Sequence, residues 1–182
     1  MITKKGRPAM YLSEQDIKSL HLPRWNELPS LNLYMDQVVD YLEQTLDFLM
    51  ISGQDSFITK TMINNYVNQE IVEAPKNKRY SNKHLAYLIV VCIMKQVFSL
   101  QEISSLFRYQ VSLYPDEQAY NYFINEFELC LKSLCLRQPF KHTPSLDEGK
   151  EAVHIIRNLV LSVSTKLCVQ NDLQKTEHIT QQ

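Results

Sequence analysis

Three glycines in 182 residues leave this chain few places to turn tightly. Average usage would supply about a dozen. The shortage excludes glycine-rich phosphate loops, dinucleotide-binding fingerprints and barrels built on many tight turns. Helices need no such residues. Hydrophobic residues make up 45 % of the sequence, enough for a packed core. The expected fold class is therefore all-α, and the hydrophobic periodicity divides the chain accordingly.

An irregular arm is expected over residues 1–30, with one short helix at 14–20 behind Ser13. Pro23 and Pro29 then break regular structure, and Trp25 is expected to pin the arm to the body. Residues 31–50 form an amphipathic helix. Leu33, Val38, Leu42, Leu46 and Leu49 recur at helical spacing, Asp36, Asp40, Glu43 and Asp47 lie between them, and Asn32 can cap the start. A loop containing Gly53 follows. Residues 59–70 form a shorter helix behind Thr59, backed by Met62, Ile63, Tyr66 and Val67.

The segment EAPKNKRY reads as an extended or turn piece, and 71–80 is the one stretch with strand character. Ser81 opens a helix over 82–97 whose LAYLIVVCIM is apolar nearly all round, the mark of a central buried helix. Ser99 opens another over 100–107, with Glu102 completing a capping box. Two long helices are predicted at 116–136 and 147–170. The organisation expected is an arm (1–30), a helical unit (31–110), a C-terminal helical pair for dimerisation or an effector (111–170) and a flexible tail (171–182).

Catalytic chemistry finds little footing. The five histidines are scattered. Glu151 and His154 stand in an E-x-x-H spacing, behind Asp147 and Glu148, but a metal-binding bundle needs a second such motif and none exists. Acids at a helix start suit the helix dipole. Cys92, Cys130, Cys135 and Cys168 form no C-x-x-C and are expected to be buried, reduced thiols of a cytoplasmic protein. No enzyme activity, metal or cofactor is expected. The longest strongly apolar run, residues 85–94, is too short to cross a bilayer, so no membrane partner is expected.

Charge and polarity point to nucleic acid instead. The net charge of −1 hides a block of −6 over residues 26–55 and one of +4 over 56–95. Inside the basic block, one short helix offers Thr61, Asn64, Asn65 and Asn68 on a single uncharged face, with Lys60 at its start. Asn pairs bidentately with adenine in the major groove, and Lys reaches guanine or phosphate. Lys76, Lys78 and Arg79 follow within reach of flanking phosphates. The candidate DNA-binding set is Thr59, Lys60, Thr61, Asn64, Asn65, Tyr66, Asn68, Lys76, Lys78 and Arg79. Near the N-terminus, Lys4-Lys5-Gly6-Arg7-Pro8 looks like a minor-groove hook, with a solvated terminus as the plainer reading.

Residues 58–107 resemble the winged helix-turn-helix of MerR-type regulators. Thr59, Ile63 and Tyr66 fit the recognition helix, Ile71-Val72 the apolar pair after it, and Pro75 with Arg79-Tyr80-Ser81 the wing and next cap. Phe98-Ser99-Leu100-Gln101-Glu102-Ile103 fits the last turn. The chain departs from that family at Asn64, Asn65 and Glu70, where Arg, an aromatic and Gly are usual, and its wing is shorter. The whole chain is also similar to a bacterial family of unknown function from low-GC Gram-positives, through LPRWNELPSLNLYMDQVVDYL, ITKTMINNYV and KRYSNKHLAYLIVVCIMKQVFSLQEI. The resemblance implies a DNA-binding transcriptional regulator that takes double-stranded DNA as a homodimer and answers to an effector or protein partner. The alternative is a protein-interaction module that has lost DNA binding. A third reading, ligand binding by Tyr109, Tyr114, Tyr120, Tyr122, Phe123 and Phe127, competes with their use as core.

Overall fold

A computed structural model describes residues 11–50, 56–144 and 150–180. The Lys4–Pro8 hook, Gly53 and the Asp147-Glu148 pair lie outside the described residues. Among the described residues the fold is mostly helical: α1 (Glu14–Ser19), α2 (Met35–Thr45), α3 (Lys60–Asn68), α4 (Asn82–Met94), α5 (Leu100–Val111), α6 (Asp116–Cys135) and α7 (Glu151–Thr180). Two short strands, β1 (Leu33–Tyr34) and β2 (Arg79–Tyr80), pair antiparallel with Leu33 opposite Tyr80 and Tyr34 opposite Arg79.

Local signals set most helix starts. Ser13, Thr59 and Ser99 each accept a hydrogen bond from the backbone two or three residues into the helix, from Asp16, Met62 and Glu102 respectively. Glu102 returns the bond to the Ser99 amide at 2.7 Å, closing the expected box. Ser81 stands at the start of α4, but its hydroxyl meets His84 Nδ1 at 2.8 Å instead of a backbone amide.

Several boundaries differ from the expectation; α4 stops at Met94 and α5 runs on to Val111. Asn32 does not cap α2; residues 33–34 are recruited into β1, so the helix begins at Met35. Beyond Thr45 the chain tightens into a 3₁₀ turn, Asp47–Leu49, which buries Phe48 and Leu49. The tail expected over 171–182 is helical to Thr180. Asn171 explains part of that extension: nearly buried, it takes the Leu12 amide at 2.6 Å and gives its own amide to the Leu12 carbonyl at 3.2 Å.

α4 is the central helix, with ten of its residues buried, from His84 to Met94. One continuous hydrophobic cluster runs from Leu22 through Leu167, so the boundary expected at residue 110 does not separate two cores. α6 and α7 lie side by side in parallel. Arg157 is 4.0 Å from Glu126, and Cys168 is bonded to Cys135. The chain therefore returns along α6 before α7 begins, and fully buried Glu126 holds that return: it accepts the Thr143 amide at 2.7 Å and bonds His142 Nδ1.

The Cys135–Cys168 disulfide corrects the expectation of four reduced thiols; Cys92 and Cys130 are free and buried. The pairing was illegible because it joins two helices that only tertiary packing brings together. By length and composition, Glu151–Glu177 is long and apolar enough to span a bilayer, which the 85–94 run is not, and 39 % of its most apolar window is buried inside the fold. Trp25 does pin the arm: its ring meets Tyr120 edge-on at 6.0 Å and its amide donates to Asn121 at 2.8 Å.

Candidate nucleic-acid interface

α3 is nine residues long and stands on α2, with Ile63 and Tyr66 buried beneath it. Its outer face carries Thr61, Asn64, Asn65 and Asn68, all exposed. These positions repeat at three and four residues, so they form one row along the helix. Asn65 accepts from the Gln69 amide at 3.0 Å, which adds Gln69 to the row and orients the Asn65 side chain. Thr59 is spent on capping.

Tyr66 does not belong to this surface. It is 2 % exposed, and burial pushes its hydroxyl pKa up. It supports the helix from the core, as its place on the same stripe as Ile63 dictates.

The helix ends in a conformation that the sequence disguises. Glu70 adopts φ 56°, the left-handed region usually given to Gly. The Ile71 amide then reaches back to the Tyr66 carbonyl at 2.9 Å and Glu70 to Val67 at 3.0 Å, the six-to-one closure of a helix C-terminus. Glu stands here in a conformation that Gly adopts most readily.

The basic segment is a two-residue hairpin. Asn77 and Lys78 both have positive φ, 52° and 60°, and the Arg79 amide bonds the Lys76 carbonyl at 2.9 Å. This is the I′ geometry whose twist suits paired strands. Asn at the first central position was the available signal for it in KNKRY. Lys at the second is unusual and costs about 1 kcal/mol against Gly.

The four bases of the candidate set differ in what they are free to do. Lys76 and Lys78 are exposed and have no partner among the described residues. Arg79 is occupied: it donates to the Tyr34 hydroxyl at 2.6 Å and stacks over that ring at 4.4 Å. That contact fastens β2 to β1. Lys60 pairs with Asp36 in the first turn of α2.

The acids of α2 are thus nearer to α3 than their place in the sequence suggested. Asp36, Asp40 and Glu43 are exposed along α2 at helical spacing. Asp36 holds Lys60, and Glu43 takes the Ser56 hydroxyl at 3.0 Å, just before α3. The candidate interface therefore carries exposed acids on α2 next to α3, while its exposed, unpaired lysines lie in the hairpin turn.

Behind α3 a groove of about 790 Å³ runs past Asn68, Gln69, Lys83, His84 and Arg108. Lys83 in it is neutralised by Glu73 at 2.6 Å and Asp116 at 3.2 Å. Burial lowers the His84 pKa, and its Nδ1 accepts the Ser81 amide at 3.0 Å. No group of three or more His, Cys, Asp or Glu side chains that could hold a metal is found among the described residues.

A family model described as a domain of unknown function, DUF1836, matches residues 23–123. No curated protein matches the chain. No solved structure matches it either. The matched span starts in the arm ahead of Trp25 and ends inside α6, so it contains α2, α3, the hairpin and the central helix.

Proposed function

The chain belongs to the DUF1836 family, and we propose that this member is a DNA-binding transcriptional regulator whose α2, α3 and hairpin act as a compact winged helix-turn-helix. The observation that carries the reading is the exposed row Thr61, Asn64, Asn65 and Asn68 on α3, together with two unpaired lysines, Lys76 and Lys78, in the hairpin that packs on α2. α3 enters the major groove, where Asn64 and Asn65 read adenine edges. Lys76 and Lys78 hold backbone phosphates at the hairpin tip, a contact that positions the protein without reading sequence. A single short helix and tip make few contacts, so two copies on two half-sites are the expected binding unit.

The exposed acids on α2 favour a second reading, in which α3 and the hairpin dock a basic protein surface. One substitution separates the two. Asp36→Asn frees Lys60 and removes a negative charge beside α3. On the DNA reading it tightens binding to a random duplex several-fold; on the other reading DNA affinity stays unchanged.

The salt dependence of binding to a labelled duplex tests the phosphate assignment. Lys78→Ala is expected to weaken all sequences alike and to lower the slope of log affinity against log salt by about one. An unchanged slope removes Lys78 from the interface.

A further inference from the structure

A cavity of about 80 Å³ opens where α4, α5, α6 and α7 meet. Trp25, Val90, Phe107, Phe123 and Ile156 are among its apolar walls, and it reaches the surface beside Tyr109, which is 41 % exposed. Packed protein interiors leave few voids of this kind.

Four of the polar side chains on its walls, Tyr87, Asp116, Gln110 and Tyr120, already have partners within the fold. The Tyr87 hydroxyl donates to Asp116 at 2.7 Å, and the second Asp116 oxygen faces Lys83 at 3.2 Å. The Gln110 amide donates to the Tyr114 carbonyl at 3.2 Å. The Tyr120 hydroxyl donates to the Pro23 carbonyl at 2.8 Å. A buried water needs two to four polar partners, and these four side chains are already engaged elsewhere. A charged ligand would lose its hydration and find its counter-charge taken. Aromatic rings on the walls favour another ring, edge-on or offset.

We propose that this cavity is a binding site for a small, uncharged aromatic molecule. An engineered apolar cavity of roughly 150 Å³ accepts a benzene ring. This one is smaller but open at one side, so it takes part of a single ring and leaves the remainder at the mouth. The site also has a route to α3. Tyr87 and Phe107, packed edge-to-face at 4.8 Å, line both this cavity and the groove behind α3. An occupant that moves this pair alters the support of α3. The proposal does not rest on DNA binding, and its test contains no DNA.

Trp25 is the single tryptophan of the chain and lines the cavity, so its emission reports occupancy. The probe is 4-nitrotoluene, an uncharged aromatic quencher, titrated against the full-length protein. Val90→Phe and Ala152→Leu fill the cavity from α4 and α7, and thermal unfolding checks that each is folded. Saturable quenching is expected, with Kd on the order of 100 μM to 1 mM for a molecule of this size. Each folded filling variant should bind at least about tenfold more weakly, and displacement by benzoate or benzylammonium should need at least about tenfold more ligand than displacement by toluene. Linear, non-saturating quenching that is the same in all three proteins overturns the proposal. So does preferential displacement by either charged analogue, which would mean that a charge at the mouth governs binding.

Discussion

The two ends of this molecule are stabilised in opposite ways. The shape of the α3–hairpin surface is set largely by neighbours in sequence, a Thr59 cap, a left-handed Glu70 and a two-residue turn at Asn77-Lys78, with Lys60–Asp36 and Arg79–Tyr34 as its contacts across the fold. Its outward side chains are largely free. The α6–α7 end with the arm is set by partners far apart in sequence. Glu128 takes Arg24 at 2.9 Å and the Leu22 amide at 3.3 Å, more than 100 residues away, and the disulfide joins residues 33 apart; only the Lys132 bond to Glu128, at 2.8 Å, is local. Glu126 and Glu128 are tied into the fold at one end, whereas Thr61, Asn64, Asn68, Lys76 and Lys78 stay exposed at the other. Residues that stay unpaired on a rigid scaffold are the ones available for recognition.

The largest effect is expected at the disulfide. A 33-residue loop closed by a cross-link contributes about 3–4 kcal/mol through the unfolded chain. Cys168→Ser should lower unfolding stability in urea by that amount and leave duplex affinity unchanged. A parallel loss of DNA affinity would show that the two ends are not independent.

Glu128 gives the next effect. Burial pushes its carboxyl pKa up, but bonds from Lys132, Arg24 and the Leu22 amide outweigh this and hold it below the usual value. A carboxyl with a depressed folded-state value adds stability that is complete above its unfolded pKa, near 4.5, and is lost as pH falls through the folded value. Glu128→Gln should cost about 2 kcal/mol at neutral pH. The deficit against wild type should shrink below pH 4.5, measured by urea unfolding across the acid range. A deficit that does not change with pH would assign the loss to packing.

At the α3 end, Asn65→Ala should cost roughly 1–3 kcal/mol on a specific site while leaving thermal stability within about 0.5 kcal/mol of wild type. The smallest change is expected at the hairpin tip. Lys78→Gly relieves a left-handed lysine and should stabilise the fold by up to about 1 kcal/mol while weakening DNA binding. Stability and binding moving in opposite directions at one residue is the signature of a strained functional tip.

The same contrast explains what the sequence made legible. Helix starts at Ser13, Thr59 and Ser99 follow from side chains that bond backbone within three residues, and all three are observed. The burial of α4 follows from ten nearly unbroken apolar positions. The pairing of Leu33–Tyr34 with Arg79–Tyr80, the parallel run of α6 and α7, and the Cys135–Cys168 bond depend on segments that meet only after folding. No local pattern announces them. The candidate interface shows both cases. The Asn row follows from helical spacing, whereas the loss of Arg79 to Tyr34 and of Lys60 to Asp36 comes from strand and helix contacts across the fold. Tyr66 belongs to the first case: its spacing from Ile63 already places it on the inner face.

On the proposed function, the exposed row on α3 reads DNA. Selection from a random duplex library at near-physiological salt, with wild type and an Asn64→Ala/Asn65→Ala variant run in parallel, tests it most directly. Wild type should enrich a motif containing adenine at contacted positions, repeated as two half-sites, and the variant should lose it while both proteins unfold at the same temperature. No enrichment by wild type, or the same motif enriched by the variant, would contradict this reading.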